Sequence, residues 1–248
     1  SYLIERLHLV IKNNNLTCIG VYKIKKNDDP LVLKDTSKKG IVRIRIDGDT
    51  EEVLLKSYKP FPNDLFNNSF GKRVYWNLSS KNLKIKNSAI NNNDDIVIFC
   101  EESVITVNSD NGHASYSYGD IISFNINKEG ELIWAKDIIK KQGAGNFDKL
   151  AYVSHASLTT NNINYYLFNA TDVKQLEDNE VSFKLKQKDI NLYLFTINEK
   201  GDRSYKLLSN ETLNNINLEV RFGVLINEHS LLFEATSNDK PLIVKITI

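Results

Sequence analysis

The chain has 248 residues, of which 41% are hydrophobic and 25% are charged, and its 32 basic residues nearly balance its 31 acidic residues. This length and apolar fraction suffice for one large all-β domain or for two ordinary domains. A net charge of +1 argues against nucleic acid or an anionic membrane face as a partner. No run of 18 apolar residues is present, so the sequence predicts no direct membrane span.

The sequence contains no Met, even at position 1. We therefore expect either that a leader has been removed or, as the favoured interpretation, that the chain is part of a longer protein whose N-terminal portion is missing here.

Cys18 and Cys100 each lie in an apolar run with the composition of a strand. Two Cys in a chain of this size form no disulfide framework, so the favoured interpretation is two buried free thiols. A disulfide between them stays open for a protein in an oxidising compartment.

Several stretches alternate apolar and polar residues, which is typical of half-buried strands. Three of them are followed by Asp or Asn and then by Gly, the chemistry of a tight hairpin turn. A fourth stretch of the same pattern ends the chain. The four stretches are Val42–Ile46, Ile122–Ile126, Tyr193–Ile197 and Val244–Ile248. Two further strand-like stretches joined by a polar turn precede each of them, and a fourth strand follows the first three.

Four antiparallel strands repeated along a chain are typical of the blades of a β-propeller. We therefore predict an all-β fold, a β-propeller built of four-stranded antiparallel blades. The predicted blades occupy approximately residues 6–57, 82–137, 149–209 and 218–248. An immunoglobulin-like sandwich is the competing interpretation, but a sandwich does not require the same four-strand order four times.

The position of the chain ends within this repeat predicts how the ring is completed. Ile248 ends a third strand, and residues 1–5 precede a first strand, so we assign residues 1–5 as a fourth strand of another blade. Pairing of 1–5 with Val244–Ile248 would close a four-bladed ring and remove a free sheet edge. We prefer the C-terminal part of a seven- or eight-bladed ring.

The segment Ile126–Trp134 resembles the repeat of quinoprotein-like (PQQ-like) propellers. In it a strand ends at Asn127, Gly130 turns the chain, and Trp134 follows on the next strand. Gly201 begins a second copy, with Tyr205 in place of the Trp. The resemblance implies that Gly130, Trp134 and Gly201 are structural residues that dock one blade on another. It implies no cofactor, because nothing matches the residues that hold a quinone and its metal.

The wider run of residues 120–142 resembles blades of uncharacterised propellers from Bacteroidota cell envelopes. This resemblance implies a bacterial protein of the periplasm or cell surface, in an outer-membrane secretion or surface-assembly complex.

Catalytic motifs are missing from the sequence. It has no nucleophile elbow, no His-Glu-x-x-His, no paired Cys-x-x-Cys and no phosphate-binding Gly loop. Its four His are scattered, and Glu101–Glu102 is expected to be a strand and loop pair without a catalytic role. Asn91–Asp95 is expected to be a polar turn, with weak cation binding as the alternative. We therefore predict no catalytic, cofactor or metal site and a protein that is not an enzyme.

Loops on a rigid ring supply most of the binding surface in this fold. Tyr75 and Trp76 lie in a long excursion outside the repeat, so they are the candidate contacts for a protein partner. The expected function is a non-catalytic protein-binding or scaffold propeller, associated with a membrane complex. The alternatives are a propeller enzyme acting on glycans or a degenerate quinoprotein, and a carbohydrate-binding lectin.

Overall fold

The computed structural model describes residues 2–24, 40–61, 82–107, 112–144, 152–176, 181–185, 190–208, 216–237 and 240–248. Most of these residues lie in strands, and no α-helix occurs in these ranges, so the prediction of an all-β fold is confirmed. No helix within them is long and apolar enough to cross a membrane. Tyr75 and Trp76 lie outside the described residues.

Eighteen strands are assigned in the described ranges. In chain order they are β1 (Tyr2–Lys12), β2 (Asn15–Ile24), β3 (Gly40–Asp47), β4 (Val53–Pro60), β5 (Leu83–Ile90), β6 (Ile96–Val107), β7 (Ala114–Ile126), β8 (Leu132–Ala144), β9 (Ala156–Thr160), β10 (Ile163–Ala170), β11 (Asp172–Gln175), β12 (Val181–Lys184), β13 (Asn191–Ile197), β14 (Arg203–Leu207), β15 (Ile216–Leu218), β16 (Val224–Asn227), β17 (Ser230–Ser237) and β18 (Lys240–Thr247).

The first sheet is antiparallel, with its four strands β1 to β4 side by side in chain order. Thr17 lies opposite both Val10 and Arg45, and Lys12 lies opposite Asn15. Because paired residues share a face and neighbours along a strand alternate, these side chains all lie on one face of the sheet.

The N-terminal residues differ from the prediction. Residues 2–5 belong to β1 and pair with the end of β2, with Tyr2 opposite Ile24, so they do not form a fourth strand of another blade. A bulge between Glu5 and Leu7 interrupts the register. The bulge also interrupts the apolar alternation, which is why the sequence pattern indicated only the second half of this strand.

The second sheet has six strands in the order β11-β12-β8-β7-β6-β5. Its β5 to β8 follow the predicted four-strand order. The β11–β12 hairpin extends this sheet, because β12 joins β8 in parallel.

The third sheet is antiparallel in the order β14-β13-β10-β9, which is again a set of four strands. The first of these strands along the chain, β9, begins at Ala156. In the fourth sheet β15 and β16 pair with successive parts of β17, separated by a 3₁₀ turn at Val220–Phe222, and β18 pairs with β17. Four-stranded antiparallel sheets are therefore present, while the blade boundaries and the size and closure of a ring stay predictions.

The described strands contribute to two compact units. The first unit contains residues 1–102 and 122–137, and the second contains residues 103–121 and 138–248. In the first unit, Ile19 and Ile41 of the first sheet pack with Ile98 and Phe124 in one buried core. The alternation of Val42, Ile44 and Ile46 indicates one buried face of β3, whereas the structure buries residues on both faces: Ile41 lies in this core, and Val42 on the other face is fully buried.

The second unit has an apolar core that includes Leu167, Leu194 and Phe233, between the third and fourth sheets. A buried amide network supports it. Gln142 Oε1 accepts the Ser154 N–H at 2.6 Å, and Gln142 Nε2 donates to the Asn169 carbonyl oxygen at 2.8 Å. These bonds satisfy amide groups that would otherwise be costly to bury.

Three turns share one hydrogen-bonding pattern that starts at an Asn. The side-chain oxygens of Asn91, Asn127 and Asn198 each accept the backbone N–H of the residue four positions later, at 2.7–2.9 Å. The residue just before the one that donates this N–H has a positive φ in every case: 62° at Asp94, 86° at Gly130 and 85° at Gly201. The Gly positions expected from turn chemistry therefore have the backbone that Gly favours.

Gly130 also makes a close contact with the first sheet. Its carbonyl oxygen accepts a bond from the Ser57 hydroxyl at 2.9 Å, and a Cβ added to Gly130 would lie 2.7 Å from the Ser57 Cβ. Trp134 is buried, at 7% exposure, on β8. The blade-docking role of Gly130, Trp134 and Gly201 remains a prediction.

We expect Gly130→Ala to lower the free energy of unfolding by about 2–4 kcal/mol, since it adds steric crowding to left-handed strain. Gly112→Ala is the matched control, because Gly112 also has a positive φ of 67° but no atom within 4 Å of an added Cβ. That variant should lose only about 1 kcal/mol. Equal losses in urea unfolding of the two variants would contradict the role given to the Ser57 contact.

The two thiols lie on opposite sides of the first sheet, Cys18 within that sheet and Cys100 in the core packed against its other face. Cys100 is part of the first unit's core, as is Ile19. Cys18 precedes Ile19 on β2, so its side chain points to the other face. Both cysteines are buried and neither forms a disulfide, which agrees with the favoured interpretation of the sequence.

Burial raises the pKa of the Cys18 thiol, so its thiolate is scarce at neutral pH. We expect neither thiol to react readily with Ellman's reagent in the native protein at pH 7, and both to react in denaturant. The Cys18→Ser variant assigns the signals, and a peptide pair joined through Cys18 and Cys100 would contradict this arrangement.

Candidate anion-binding site

A polar pocket lies in the first unit where β1 passes into β2. It is lined by Lys12, Asn13, Asn15, Thr17, Arg43, Arg45, Ile90 and Asp94. The first sheet supplies the cations, because alternation places Lys12 of β1 and Arg43 and Arg45 of β3 on the same face.

Arg43 is the buried cation of this pocket, at 3% exposure. Its Nη1 donates to the Asn127 carbonyl oxygen and its Nη2 to the Asp94 carbonyl oxygen at 3.4 Å. Its Nε is buried without a hydrogen-bond partner among the described residues. Burial, and then the neighbouring charge of Arg45, lower the pKa of Arg43 to about 10, so the guanidinium stays charged at neutral pH.

Lys12 holds the turn that follows β5. Its Nζ donates to the Asn91 carbonyl oxygen at 2.9 Å and lies 2.8 Å from Asp94 Oδ1. The hydrogen bond from Lys12 is the largest cause that lowers the pKa of the Asp94 carboxyl; burial opposes it, and the charges of Lys12, Arg45 and Lys128 lower the pKa further. The Asn91–Asp95 turn, for which weak cation binding was the alternative, thus binds an internal ammonium.

Arg45 and Asn15 complete the polar lining. Arg45 is half-buried, and its Nε has no partner in the described part of the chain. The same is true of the side-chain oxygen of Asn15, whose Nδ2 donates to the Asn13 carbonyl oxygen at 3.2 Å. Buried polar groups without partners are costly, and guanidinium N–H groups bind carboxylate or sulfate oxygens strongly. The arrangement can therefore bind an anionic group.

The residues singled out in the sequence have varied positions. Gly130 ends the turn whose Asn127 carbonyl binds Arg43, whereas Gly201 lies in a turn of the second unit. Glu101 is fully buried, with Lys86 Nζ at 3.9 Å. No group of three His, Cys, Asp or Glu side chains suited to a metal ion is found among the described residues.

The pocket was not predicted, because the alternation within Val42–Ile46 indicates a half-buried strand whose other face, with Arg43 and Arg45, is polar. A signal was present: Ile41, Arg43 and Arg45 alternate with Val42, Ile44 and Ile46, so each face of β3 carries apolar residues. Two Arg on such a strand indicate that at least one is buried and has to be neutralised.

No protein-family model matches the chain, and no curated protein does. Among solved structures, the polysaccharide lyase Uly1 matches over 99% of this chain and 46% of its own, at 10% identity and a TM-score of 0.41. A Bacteroides ovatus protein proposed to be a hydrolase matches over 95% and 54%, at 11% identity and 0.27. A GH43 β-1,3-galactosidase matches over 96% and 55%, at 10% identity and 0.26.

The chain thus spans about half the length of the solved structures it matches. The lyase and the galactosidase are by name glycan-acting enzymes, which contradicts the expectation that the chain is not an enzyme. None of the three is a quinoprotein by name. The resemblance to quinoprotein-like and Bacteroidota envelope propellers stays a prediction.

The Lys12–Asp94 pair makes the free energy of unfolding depend on pH in the acidic range. Because the pKa of Asp94 is lowered in the folded state, the unfolded chain binds this proton more readily, and the contribution of the pair is lost as pH falls through and below the ordinary range of Asp. The loss should be at most about 1 kcal/mol, since the pair is partly exposed. Urea unfolding of the native protein and of Asp94→Asn at pH 7 and pH 3 measures it. The stability difference between the two should shrink in acid, and a difference that does not change with pH would contradict the assignment.

Proposed function

We propose that the chain is part of a glycan-directed protein and that its basic pocket binds an acidic group on a carbohydrate chain. The observation that carries the proposal is the buried Arg43 guanidinium, whose Nε has no partner in the described residues and which lies beside a second Arg. Carboxylate and sulfate oxygens are the acceptors that guanidinium N–H groups bind most strongly.

The charges of the pocket favour an anion. Its lining contains three cationic side chains, Lys12, Arg43 and Arg45, and a single carboxylate, Asp94. The carboxylate lies against Lys12, and the two guanidinium groups still repel each other, although the charges of Asp95, Asp94 and Glu129 offset part of this repulsion. An added negative charge would relieve that repulsion, so binding energy is available for an acidic ligand.

The neutral lining favours a ligand with hydroxyl groups around its charge. Asn13, Asn15 and Thr17 offer amide and hydroxyl groups, and Ile90 offers an apolar surface. Sugar rings present both hydroxyl groups and C–H faces, and binding sites combine such groups to fix the orientation of a ligand. An acidic polysaccharide is also compatible with our prediction that the protein resides in the periplasm or at the cell surface.

Calorimetric titration with defined polysaccharides tests this proposal. We expect binding to polygalacturonate or dextran sulfate, with uncharged dextran bound at least about 10-fold more weakly, because it cannot pair with the guanidinium groups. Arg45→Gln should weaken binding of the acidic chains by roughly 10-fold.

Lys245→Gln is the matched control, because it removes one positive charge from an exposed position on β18 outside the pocket lining. Its affinity should stay within about 2-fold of the native protein at 0.15 M salt. Equal losses in Arg45→Gln and Lys245→Gln would indicate general charge attraction, and no binding of any acidic chain would refute the proposal.

A further inference from the structure

Asp94 occupies a backbone position that Gly fills in the two equivalent turns. In the turns that start at Asn127 and Asn198, the residue with positive φ is Gly130 or Gly201, whereas the turn that starts at Asn91 has Asp94 there, at φ 62°. Left-handed backbone is disfavoured for a residue with a Cβ. Asp and Asn tolerate this backbone better than other residues with a Cβ, so Asp94 can occupy the position and place a carboxylate there.

The side chain of Asp94 enters the basic pocket. Its Oδ1 lies 2.8 Å from Lys12 Nζ, and the positive charge of Arg45 also acts on it. The carboxylate therefore has the same partner that an acidic group of a ligand would seek. The Asp94 carboxylate thus takes, within the protein, the place of an anionic ligand group at Lys12.

We infer that Asp94 is an internal competitor for the pocket, so that the acidic group of a ligand displaces its carboxylate from Lys12. This inference rests on the proposed function of the pocket. It makes Asp94 a specificity-determining residue: only a ligand that also engages Arg43 and Arg45 gains enough to replace the internal ion pair.

The exposure of the ion pair makes this exchange feasible. The side chains of Lys12 and Asp94 are 34% and 52% exposed, and ion pairs at such sites contribute little net stability. Arg43 is different, because two backbone carbonyls hold it in place. The exchange thus moves one exposed carboxylate into water and leaves the buried cation where it is.

Dextran sulfate binding at pH 7 tests the inference with two variants. Asp94→Asn keeps a side chain that tolerates left-handed backbone, and Asp94→Gly restores the residue of the other two turns. Both should bind dextran sulfate roughly 3- to 10-fold more tightly than the native protein, because the competing charge is gone. If one of the two variants fails to fold, the other still tests the inference.

Glu131→Gln is the control for the loss of a negative charge. Glu131 is an exposed carboxylate in the Asn127 turn and pairs with Lys59 of the first sheet at 2.6 Å, much as Asp94 pairs with Lys12. Its removal changes the net charge by the same amount but leaves the pocket lining intact. We expect a change in affinity of less than about 2-fold.

A double-mutant cycle with Lys12→Gln distinguishes competition at Lys12 from a general electrostatic effect. If Asp94 competes at Lys12, the gain from Asp94→Asn disappears in the Lys12→Gln background. A gain that persists there, or native-like affinity in both Asp94 variants, would overturn the inference while leaving the pocket's function intact. Failure of every protein to bind dextran sulfate and polygalacturonate would instead overturn the proposed function, and the inference with it.

Discussion

The hydrogen bonding of the buried Arg43 guanidinium is the interaction on which the polar pocket of the first unit depends. A guanidinium at 3% exposure is tolerated only where its N–H groups meet acceptors, and here two come from backbone carbonyls, of Asn127 and of Asp94. The two turns that supply them flank strands of the second sheet. One side chain of the first sheet therefore fixes both turns, and the geometry of the pocket follows from that attachment.

The Asn-led turns explain how such loops stay defined without an apolar core of their own. In each, the Asn side chain replaces a backbone acceptor and fixes the residue four positions later, while the residue with positive φ reverses the chain. Gly130 satisfies this requirement and lets the turn approach Ser57 closely. Asp94 adopts the positive φ at a higher energy than Gly would, but it brings a carboxylate to Lys12. The same turn thus serves packing in one place and electrostatics in another.

The strands and their order were predictable from the sequence because period-two alternation and Asn or Gly turns are local signals. β3 shows the limit of these signals: alternation located the strand and the buried Val42, but it did not predict that the other face is buried as well, at Ile41 and Arg43. β1 shows the same limit, since a bulge at Glu5 and Leu7 broke the period. The pocket joins β1, β2 and β3 to a turn at residues 91–95, and no local pattern specifies such long-range contacts.

The proposed anion site has to limit the repulsion among its own cations when no ligand is bound, and this requirement links stability to specificity in the first unit. Burial and then the charge of Arg45 lower the pKa of Arg43, and the charges of Asp95, Asp94 and Glu129 oppose this. A stronger internal anion would make the empty protein more stable but would exclude ligands; no internal anion would leave the repulsion unrelieved. The partly exposed pair of Asp94 and Lys12, beside the buried Arg43, is a compromise between stability without a ligand and access for a ligand.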